Sequence, residues 1–191
     1  MSNIIYLHGF MSSPQSAKAV QTMNYIEQHH PECSVHVPQL SGYPDLALNQ
    51  IEDLVKNAKV SENLYIGSSM GGFLATYLVE RYGGRAVLVN PAVAPAKLLA
   101  EYLGVHINPY TQEQITLTEA HLHYLMRMDV AINASPQRYK VLLQQGDETL
   151  DYRLAEEKYA GATMLIEQGG NHSFVDYAKH LPQIMDFLLT K

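Results

Sequence analysis

The chain has little of what secreted, membrane-bound or nucleic-acid-binding proteins require. Its single cysteine, Cys33, cannot form a disulfide within the chain and fits a reducing compartment. With 13 basic and 19 acidic residues, the net charge of −6 gives no reason to expect nucleic acid or an anionic membrane as a partner. No apolar run reaches the length of a membrane span, and the N-terminus enters a strand pattern without a basic leader. We therefore expect a cytoplasmic globular protein.

Short apolar runs alternate with longer amphipathic stretches, which is typical of a parallel sheet with helices on both faces. We predict an α/β fold with a mostly parallel six-stranded sheet, built as one domain over residues 1–191. Cys33 heads an apolar strand and is expected to be buried rather than reactive. The predicted strands are 4–7, 34–38, 63–66, 86–89, 141–143 and 164–166. The predicted helices start at Ser13–Pro14 and near Pro44, span 72–82, and close the chain around 184–189.

Residues 93–136 interrupt this rhythm, because no strand is visible between the fourth and fifth predicted strands. Residues 96–103 have a helical pattern, and residues 116–119 fit a capping box ahead of a second helix. We predict a helical insertion over the carboxyl ends of the strands, which either extends the core or, as its position favours, forms a lid. Its apolar residues, which would line an acyl pocket or pack on the body, are Leu99, Leu103, Leu122 and Met126.

The strongest local motif is Gly-Ser-Ser-Met-Gly at residues 67–71, between a predicted strand and a predicted helix. A strand, a sharp turn carrying a serine, and a helix form the nucleophile elbow of α/β-hydrolases. A side chain at either flanking glycine would crowd the strand against the helix. Ser69 is therefore the candidate nucleophile, and a serine nucleophile needs a base within hydrogen-bond reach.

Of the five histidines after Ser69, His172 has the position expected of that base. It lies in the loop 169–174, after the last predicted strand and at the same edge of the sheet as Ser69. His180 lies in a helical stretch and is expected to face solvent. Three more histidines lie in the insertion, where their spacing does not favour a metal site and where we expect them to face solvent or substrate. They are His106, His121 and His123.

Three acidic residues after the fifth predicted strand compete for the role of orienting acid. Asp147 follows the strand and a glycine directly, which is the usual position for this acid. Asp151 is expected to cap a helix through residues 154–159, and Glu148 is expected to be exposed. We favour Asp147, with Asp151 as the alternative, to hold the histidine tautomer and stabilise the imidazolium.

An oxyanion hole requires two backbone N–H groups directed at the developing negative charge. Met70, the residue after the candidate nucleophile, provides one of them. The loop 8–13 after the first strand is expected to provide the other, with Phe10 as the candidate donor. If the first and third strands flank the point where the connections change face, this loop and Ser69 meet in one crevice. The alternative is an ordinary tight turn after the first strand.

Together these motifs resemble the YqiA-type small bacterial esterases of the α/β-hydrolase superfamily. The matching segments are 8–14, 67–73, 90–92, 146–152 and 169–174, spread over nearly the whole chain. The resemblance implies a trimmed three-layer α/β-hydrolase fold without the first two strands of larger relatives. It also implies hydrolysis of carboxylic esters, with acyl thioesters as an alternative substrate class, and no metal or organic cofactor.

The same residues leave two other functions open. A thioesterase would use the same three side chains, because the acyl-enzyme is identical. A non-catalytic ligand-binding protein of this fold is less favoured, since such proteins usually lack the nucleophile, base or acid. In either enzymatic case the partner is a small acyl ester or thioester, and the chain is expected to be a monomer or a homodimer.

Overall fold

The computed structural model describes residues 2–58, 62–132 and 135–190. Its strands are β1 (Asn3–Leu7), β2 (Ser34–His36), β3 (Asn63–Ser68), β4 (Arg85–Val89), β5 (Gly104–Ile107), β6 (Gln114–Leu117), β7 (Tyr139–Gln144) and β8 (Thr163–Glu167). Its helices are α1 (Ala17–His29), α2 (Pro44–Asn57), α3 (Met70–Tyr82), α4 (Pro95–Leu99), α5 (Glu119–Met128), α6 (Tyr152–Lys158) and α7 (Leu181–Leu189). Within these ranges no helix has both the length and the apolar composition needed to cross a membrane.

Six strands form one parallel sheet in the order β2-β1-β3-β4-β7-β8. The connection through α1 leads outward to β2, and the connection through α2 returns to β3 on the other side of β1. The chain therefore changes direction between β1 and β3, and loops after these two strands meet at the carboxyl edge. The predicted α/β-hydrolase fold class is confirmed.

Two apolar layers cover the two faces of the sheet. Successive residues of a strand point to opposite faces, so Ile4 and Tyr6 contact one layer while Ile5 and Leu7 contact the other. Helices α1 and α7 pack on the first face, and α2, α3 and α6 pack on the second. Both faces of the central strands are thus buried, which explains why these strands appear in the sequence as continuous apolar runs.

The first helix begins later than predicted, at Ala17 rather than at Ser13–Pro14. The Ser13 hydroxyl accepts the backbone N–H of Gln15 at 3.0 Å. The Ser13 carbonyl accepts the N–H of Ser16 at 3.1 Å. Serine side chains favour such local bonds in turns as well as at helix starts, so the same residues form a turn here.

Three smaller differences concern element ends and Cys33. The second strand ends at His36, two residues before the predicted end, and α3 begins at Met70 rather than at residue 72. Cys33 is partly buried, not buried as expected, because it precedes the edge strand of the sheet. Burial raises the pKa of its thiol, and the neighbouring Glu32 raises it further, so the reactive thiolate is disfavoured.

The expectation of no strand between residues 93 and 136 is wrong. Strands β5 and β6 form an antiparallel hairpin in which Gly104 pairs with Leu117. Ile115 and Leu117 are buried, whereas Val105 and Ile107 are 60% and 58% exposed. Each strand has only four residues, so its period-two alternation contains just two apolar residues, which is too short a pattern to mark a strand.

The second helix of the insertion is present, but its cap lies two residues beyond the predicted one. Thr118 precedes the first turn of α5, and its backbone N–H donates to Nδ1 of His121 at 3.0 Å. The capping box therefore spans residues 118–121 rather than 116–119. A histidine accepts the bond that a glutamate or glutamine would accept in the expected pattern.

Candidate active site

The elbow turn holds Ser69 between β3 and α3 at φ 55° and ψ −120°, a conformation that L-residues rarely adopt. The two flanking glycines are required by close packing. A Cβ at Gly67 would lie 2.3 Å from the carbonyl oxygen of Gly71, and a Cβ at Gly71 would lie 1.9 Å from that of Leu7. The Ser69 backbone N–H donates to Val89 of the neighbouring strand at 3.0 Å. The serine is thus fixed at the carboxyl edge of the sheet.

The structure brings the three predicted side chains Ser69, His172 and Asp147 into one hydrogen-bonded row. The Ser69 hydroxyl oxygen lies 3.1 Å from Nε2 of His172. On the other side of the ring, Nδ1 of His172 lies 2.8 Å from Oδ2 of Asp147. Because an ionised carboxylate only accepts, Nδ1 carries the proton and Nε2 is free to accept from the serine.

The Asp147 side chain is 2% exposed, yet it is well suited to carry a negative charge. Its Oδ1 atom accepts the backbone N–H groups of Thr149 and Leu150, both at 2.8 Å. Burial opposes the charged form, but the hydrogen bonds from His172 and these two amides outweigh it and lower the pKa of the Asp147 carboxyl. The carboxylate is therefore ionised and held in one orientation.

The two competing acids lie in other positions. Asp151 precedes α6, where its carboxylate accepts the N–H of Arg153 at 3.1 Å and pairs with the Arg153 guanidinium. The predicted capping role of Asp151 is therefore confirmed. Glu148 is exposed as expected, but its carboxylate also accepts the backbone N–H of His172 at 3.0 Å. That contact was not predicted, and it helps to hold the histidine loop.

A buried glutamine, which sequence reasoning missed, clamps the loop that carries His172. The Gln144 side chain, at the end of β7, is 3% exposed. Its oxygen accepts the N–H groups of Asn171 and Val175, at 3.1 and 2.8 Å. Its nitrogen donates to the Val175 carbonyl and to Glu167. Every hydrogen-bonding group of this amide is used, so the loop on both sides of His172 is rigidly tied to the sheet.

Asn90, at the end of β4, is a second buried amide that sequence reasoning missed. Its oxygen accepts the N–H of Gln144 at 3.0 Å, and its nitrogen donates to the carbonyl of Asn171 at 3.1 Å. The Asn90 backbone has φ 40°, which asparagine tolerates better than most residues. The only signal in the sequence is a polar residue directly after an apolar strand and before a proline.

The loop after β1 is fixed by His8, which is 3% exposed. Its Nε2 accepts the N–H of Leu40 at 3.0 Å, so Nδ1 carries the proton and donates to the Gly9 carbonyl at 2.9 Å. Burial lowers the pKa of His8, and the bond to Gly9 opposes this only in part, so the ring is neutral. The backbone N–H groups of Phe10 and Met70 have no acceptor in the described residues.

A cavity of about 600 Å³ opens beside Ser69 and His172, and we call it the larger cavity because a smaller one also reaches these two residues. The insertion supplies much of its wall, and its apolar lining exceeds its polar lining. Of the four insertion residues predicted to line a pocket or pack, Leu99 lines this larger cavity and Leu122 is buried in the core. Leu103 and Met126 do neither, because they are 43% and 55% exposed. The candidate-site residues that line the larger cavity are Phe10, Ser69, Met70 and His172.

The remaining histidines occupy different environments. His106 lines the larger cavity, His121 caps α5 and His123 is exposed. The expectation that His180 faces solvent is wrong, since it is 8% exposed and packs edge-on against Phe174 at 5.4 Å between ring centres. His180 is the last residue of a short 3-10 turn ahead of α7, in which its side chain is buried. Across residues 2–58, 62–132 and 135–190, no three His, Cys, Asp or Glu side chains are grouped to hold a metal ion.

A model of the family described as "Uncharacterised protein family (UPF0227)" matches residues 3–189, almost the full chain. The chain belongs to this family. The resemblance to YqiA-type esterases is thereby confirmed, because these proteins are members of UPF0227. The match to UPF0227 includes the elbow, the acid loop and the histidine loop.

Solved structures similar to this UPF0227 chain share its fold at low sequence identity. Alpha/beta hydrolase domain-containing protein 10 from mouse has a TM-score of 0.72 and 14% identity, over 98% of this chain and 89% of that one. Est1E from Butyrivibrio proteoclasticus, solved with ferulic acid bound, has a TM-score of 0.70 and 14% identity, over 99% and 88%. The esterase domain of a Rhodothermus marinus protein has a TM-score of 0.70 and 13% identity, over 97% and 85%. These likenesses establish the α/β-hydrolase fold.

Proposed function

We propose that this protein is a serine hydrolase that cleaves carboxylic esters through an acyl-enzyme on Ser69. The observation that carries the proposal is the row of hydrogen-bonded atoms from Asp147 through His172 to the Ser69 hydroxyl, at 2.8 and 3.1 Å. These distances lie within the reach required between a nucleophile and its general base. The esterases among the solved structures of this fold agree with the proposal.

In the first half of the reaction, the Ser69 oxygen attacks the ester carbonyl carbon while His172 Nε2 takes the hydroxyl proton. The imidazolium that forms is stabilised by the Asp147 carboxylate on the opposite ring nitrogen. When the tetrahedral intermediate collapses, the bond to the alcohol oxygen breaks and His172 returns the proton to that oxygen. The alcohol leaves, and the acyl group stays on Ser69.

The negative charge on the carbonyl oxygen needs donors that are already in place. The backbone N–H groups of Phe10 and Met70 fit this role, because both residues line the larger cavity beside Ser69 and neither N–H has an acceptor in the described residues. The Met70 amide is also the first of α3, where the helix dipole favours negative charge. His8 fixes the Phe10 loop, so this donor requires no rearrangement during the reaction.

In the second half, a water molecule gives a proton to His172 Nε2 and attacks the acyl carbon. Collapse of this second intermediate breaks the bond to the Ser69 oxygen, which takes back the proton, and releases the carboxylic acid. The larger cavity, mostly apolar and walled by the insertion, accommodates the acyl chain and keeps bulk water away from it. In this account the insertion acts as a lid.

A fluorophosphonate probe tests the proposal directly, because it reacts with a serine only when the serine is activated. We expect one probe per chain, located by mass spectrometry on the peptide that contains Ser69, and no labelling of Ser69→Ala or of denatured protein. Absence of labelling, or labelling of another serine, would overturn the proposal in favour of a ligand-binding protein of the same fold.

A matched pair of butyryl esters, one with an oxygen and one with a sulfur leaving atom, then separates esterase from thioesterase activity. Both pass through the same acyl-enzyme, so only the first half of the reaction differs. We expect the oxygen ester to have the higher kcat/KM. A higher kcat/KM for the thioester would replace the esterase by a thioesterase with the same three residues.

A further inference from the structure

A second cavity, of about 250 Å³, reaches the same candidate site from another direction. Its wall includes Ser16, Ala17 and Lys18 at the start of α1. The wall of the larger cavity is instead formed in good part by the insertion. We call it the Lys18 cavity. The residues common to both cavities are Phe10, Ser69 and His172. A substrate whose ester group lies at Ser69 therefore has room on two sides.

Lys18 is a partly buried cation with unused hydrogen-bonding capacity. Its Nζ donates to the carbonyl of Ser173, the residue after His172, at 2.8 Å. An ammonium has three N–H groups, and the described residues offer Nζ no second acceptor and no carboxylate within ion-pair distance. Burial lowers the pKa of Lys18 to about 8, and the more distant charge of Asp147 offsets this only in part. A charge in such a position is costly unless a ligand pairs with it.

The rest of the wall mixes polar and apolar residues and carries no carboxylate. None of the residues lining this cavity is Asp, Glu or Arg, and several bear hydroxyl groups. A negatively charged group would therefore meet one cation and several hydroxyl-bearing side chains, while the buried Asp147 carboxylate, whose charge also acts on Lys18, does not line the cavity. Besides Ser69, the hydroxyl-bearing residues of the wall are Tyr6, Ser12, Ser16, Ser68, Tyr110 and Ser173.

We propose that the Lys18 cavity binds a carboxylate carried by the leaving group of the substrate, so that the preferred substrates are acyl esters of small hydroxy acids. This proposal rests on the proposed esterase function. It assigns the larger cavity to the acyl chain and the Lys18 cavity to the alcohol part of the substrate. The Lys18 cavity is lined by His172, which protonates the departing oxygen, and by Ser173, which Lys18 contacts.

Two pairs of substrates test the proposal without assuming a chain length. We would measure kcat/KM for the butyryl esters of glycolate and of 3-hydroxypropionate, each beside the corresponding neutral amide. For each pair we divide the kcat/KM of the carboxylate ester by that of the amide. We then divide this value by the ratio of the rate constants with which hydroxide hydrolyses the same two esters. The result, the corrected ratio, no longer contains the difference in intrinsic reactivity between the two esters. We expect a corrected ratio of about ten or more for at least one pair, the size of one charge-assisted hydrogen bond.

Lys18→Gln removes the charge but keeps a donor for the Ser173 carbonyl. Any indirect effect on His172 applies equally to both esters of a pair and cancels in the ratio. We expect the corrected ratio to fall about tenfold, to about one. Lys56→Gln is the matched control, because Lys56 is an exposed lysine on α2, paired with Glu52, and its loss changes the net charge equally. We expect this control to keep the wild-type ratio.

The wild-type protein gives a second readout that needs no variant. Raising the pH from about 6.5 to about 9.5 neutralises Lys18, so the corrected ratio should fall towards one. The other titratable groups of this cavity and its neighbourhood are Asp147, His172, His8, Tyr6 and Tyr110, and each acts on both esters of a pair.

A corrected ratio near one in the wild type, or a ratio that survives Lys18→Gln, would overturn the proposal. So would a preference confined to a carboxylate on the acyl side, measured with monoethyl succinate beside its amide. These outcomes are distinct from failure of the proposed function, in which neutral butyryl esters are not hydrolysed and Ser69 is not labelled.

Discussion

The two cavities that meet at Ser69 and His172 come from different parts of the chain and have different chemistry. The larger is walled in good part by the insertion and is mainly apolar, whereas the Lys18 cavity is walled in part by the start of α1 and has a mixed lining with one lysine. Between them, the candidate catalytic groups stand on the ends of parallel strands. In the proposed reaction, selectivity for the acyl part and for the leaving group could therefore change independently of the chemistry.

The region between the cavities is also held differently from their walls. Buried amides and strand ends fix the position of His172, through Gln144 and Asn90. The insertion has a hairpin with Val105 and Ile107 more than half exposed. Local stability falls where buried contacts are few, so we expect the wall of the larger cavity to move more readily than the sheet edge that carries Ser69 and His172. The predictions below separate these regions, from the largest expected effect to the smallest.

Ser69→Ala should remove the centre that both cavities share and leave the cavities in place. We expect kcat on p-nitrophenyl esters to fall on the order of 10⁶-fold, the loss found for triad nucleophiles. The measurement uses acyl chains of increasing length, beside the wild type, with an unchanged denaturation midpoint as the control for folding. Equal turnover in both proteins would mean that the elbow is structural.

Asp147→Asn and Asp151→Asn are a matched pair of variants, because both make the same substitution in the segment between β7 and α6. Asparagine at 147 neither holds the neutral His172 ring in the reactive tautomer nor stabilises the imidazolium, so kcat should fall about 10⁴-fold. Asp151 contacts Arg153 at the start of α6, and its replacement by asparagine keeps a good capping residue, so kcat should change less than about twofold. The opposite ranking of the two variants would transfer the role of the acid to Asp151.

Leu98→Phe should affect the larger cavity alone. Leu98 lines this cavity and is partly exposed to it, so a larger ring takes up space for the acyl chain without crowding the core. We expect kcat/KM for a p-nitrophenyl octanoate to fall about tenfold and that for the acetate to stay within about threefold. Leu103→Phe is the control, because Leu103 is exposed and not in the cavity wall. Equal losses for both chain lengths would place the acyl chain elsewhere.

The parts predictable from the sequence are those that depend on local chain geometry. Ser69 follows β3 directly, Asp147 and His172 lie in the loops after β7 and β8, and glycines mark the turns that carry them. The rest depends on contacts between distant segments. Gln144 bonds residues 27 and 31 positions away, and Lys18 bonds a residue 155 positions away, so no local pattern indicates their roles.

The two wrong predictions, for the hairpin and for His180, also arise from contacts between distant segments. The hairpin strands have four residues each and owe their burial to packing of Ile115 and Leu117 against the body, which periodicity does not reveal. His180 precedes a helix in the sequence and has a polar side chain, yet contact with Phe174 and Gln183 buries it. Tertiary contacts override local preference in both cases.

Lys18→Met tests, through the stability of the fold, whether the charge of Lys18 lacks a partner in the Lys18 cavity. Burial lowers the pKa of Lys18 in the folded protein from 10.5 to about 8, so the unfolded chain binds more protons between those values. The free energy of unfolding of the wild type therefore rises with pH across that range, and below it the charged lysine destabilises the fold by a constant amount.

Methionine keeps the apolar stem and removes the charge, so the variant should be more stable than the wild type at about pH 7 by about 1 kcal/mol. This figure allows for the partial exposure of Lys18 and for the lost bond to Ser173. In urea denaturation the difference should shrink as the pH rises towards about 10, whereas Lys56→Met, at an exposed pair, should show no such trend. A difference that is reversed, or independent of pH, would mean that Lys18 already has its partner within the fold. A gain of stability together with a loss of selectivity for carboxylates is expected of a residue kept for binding.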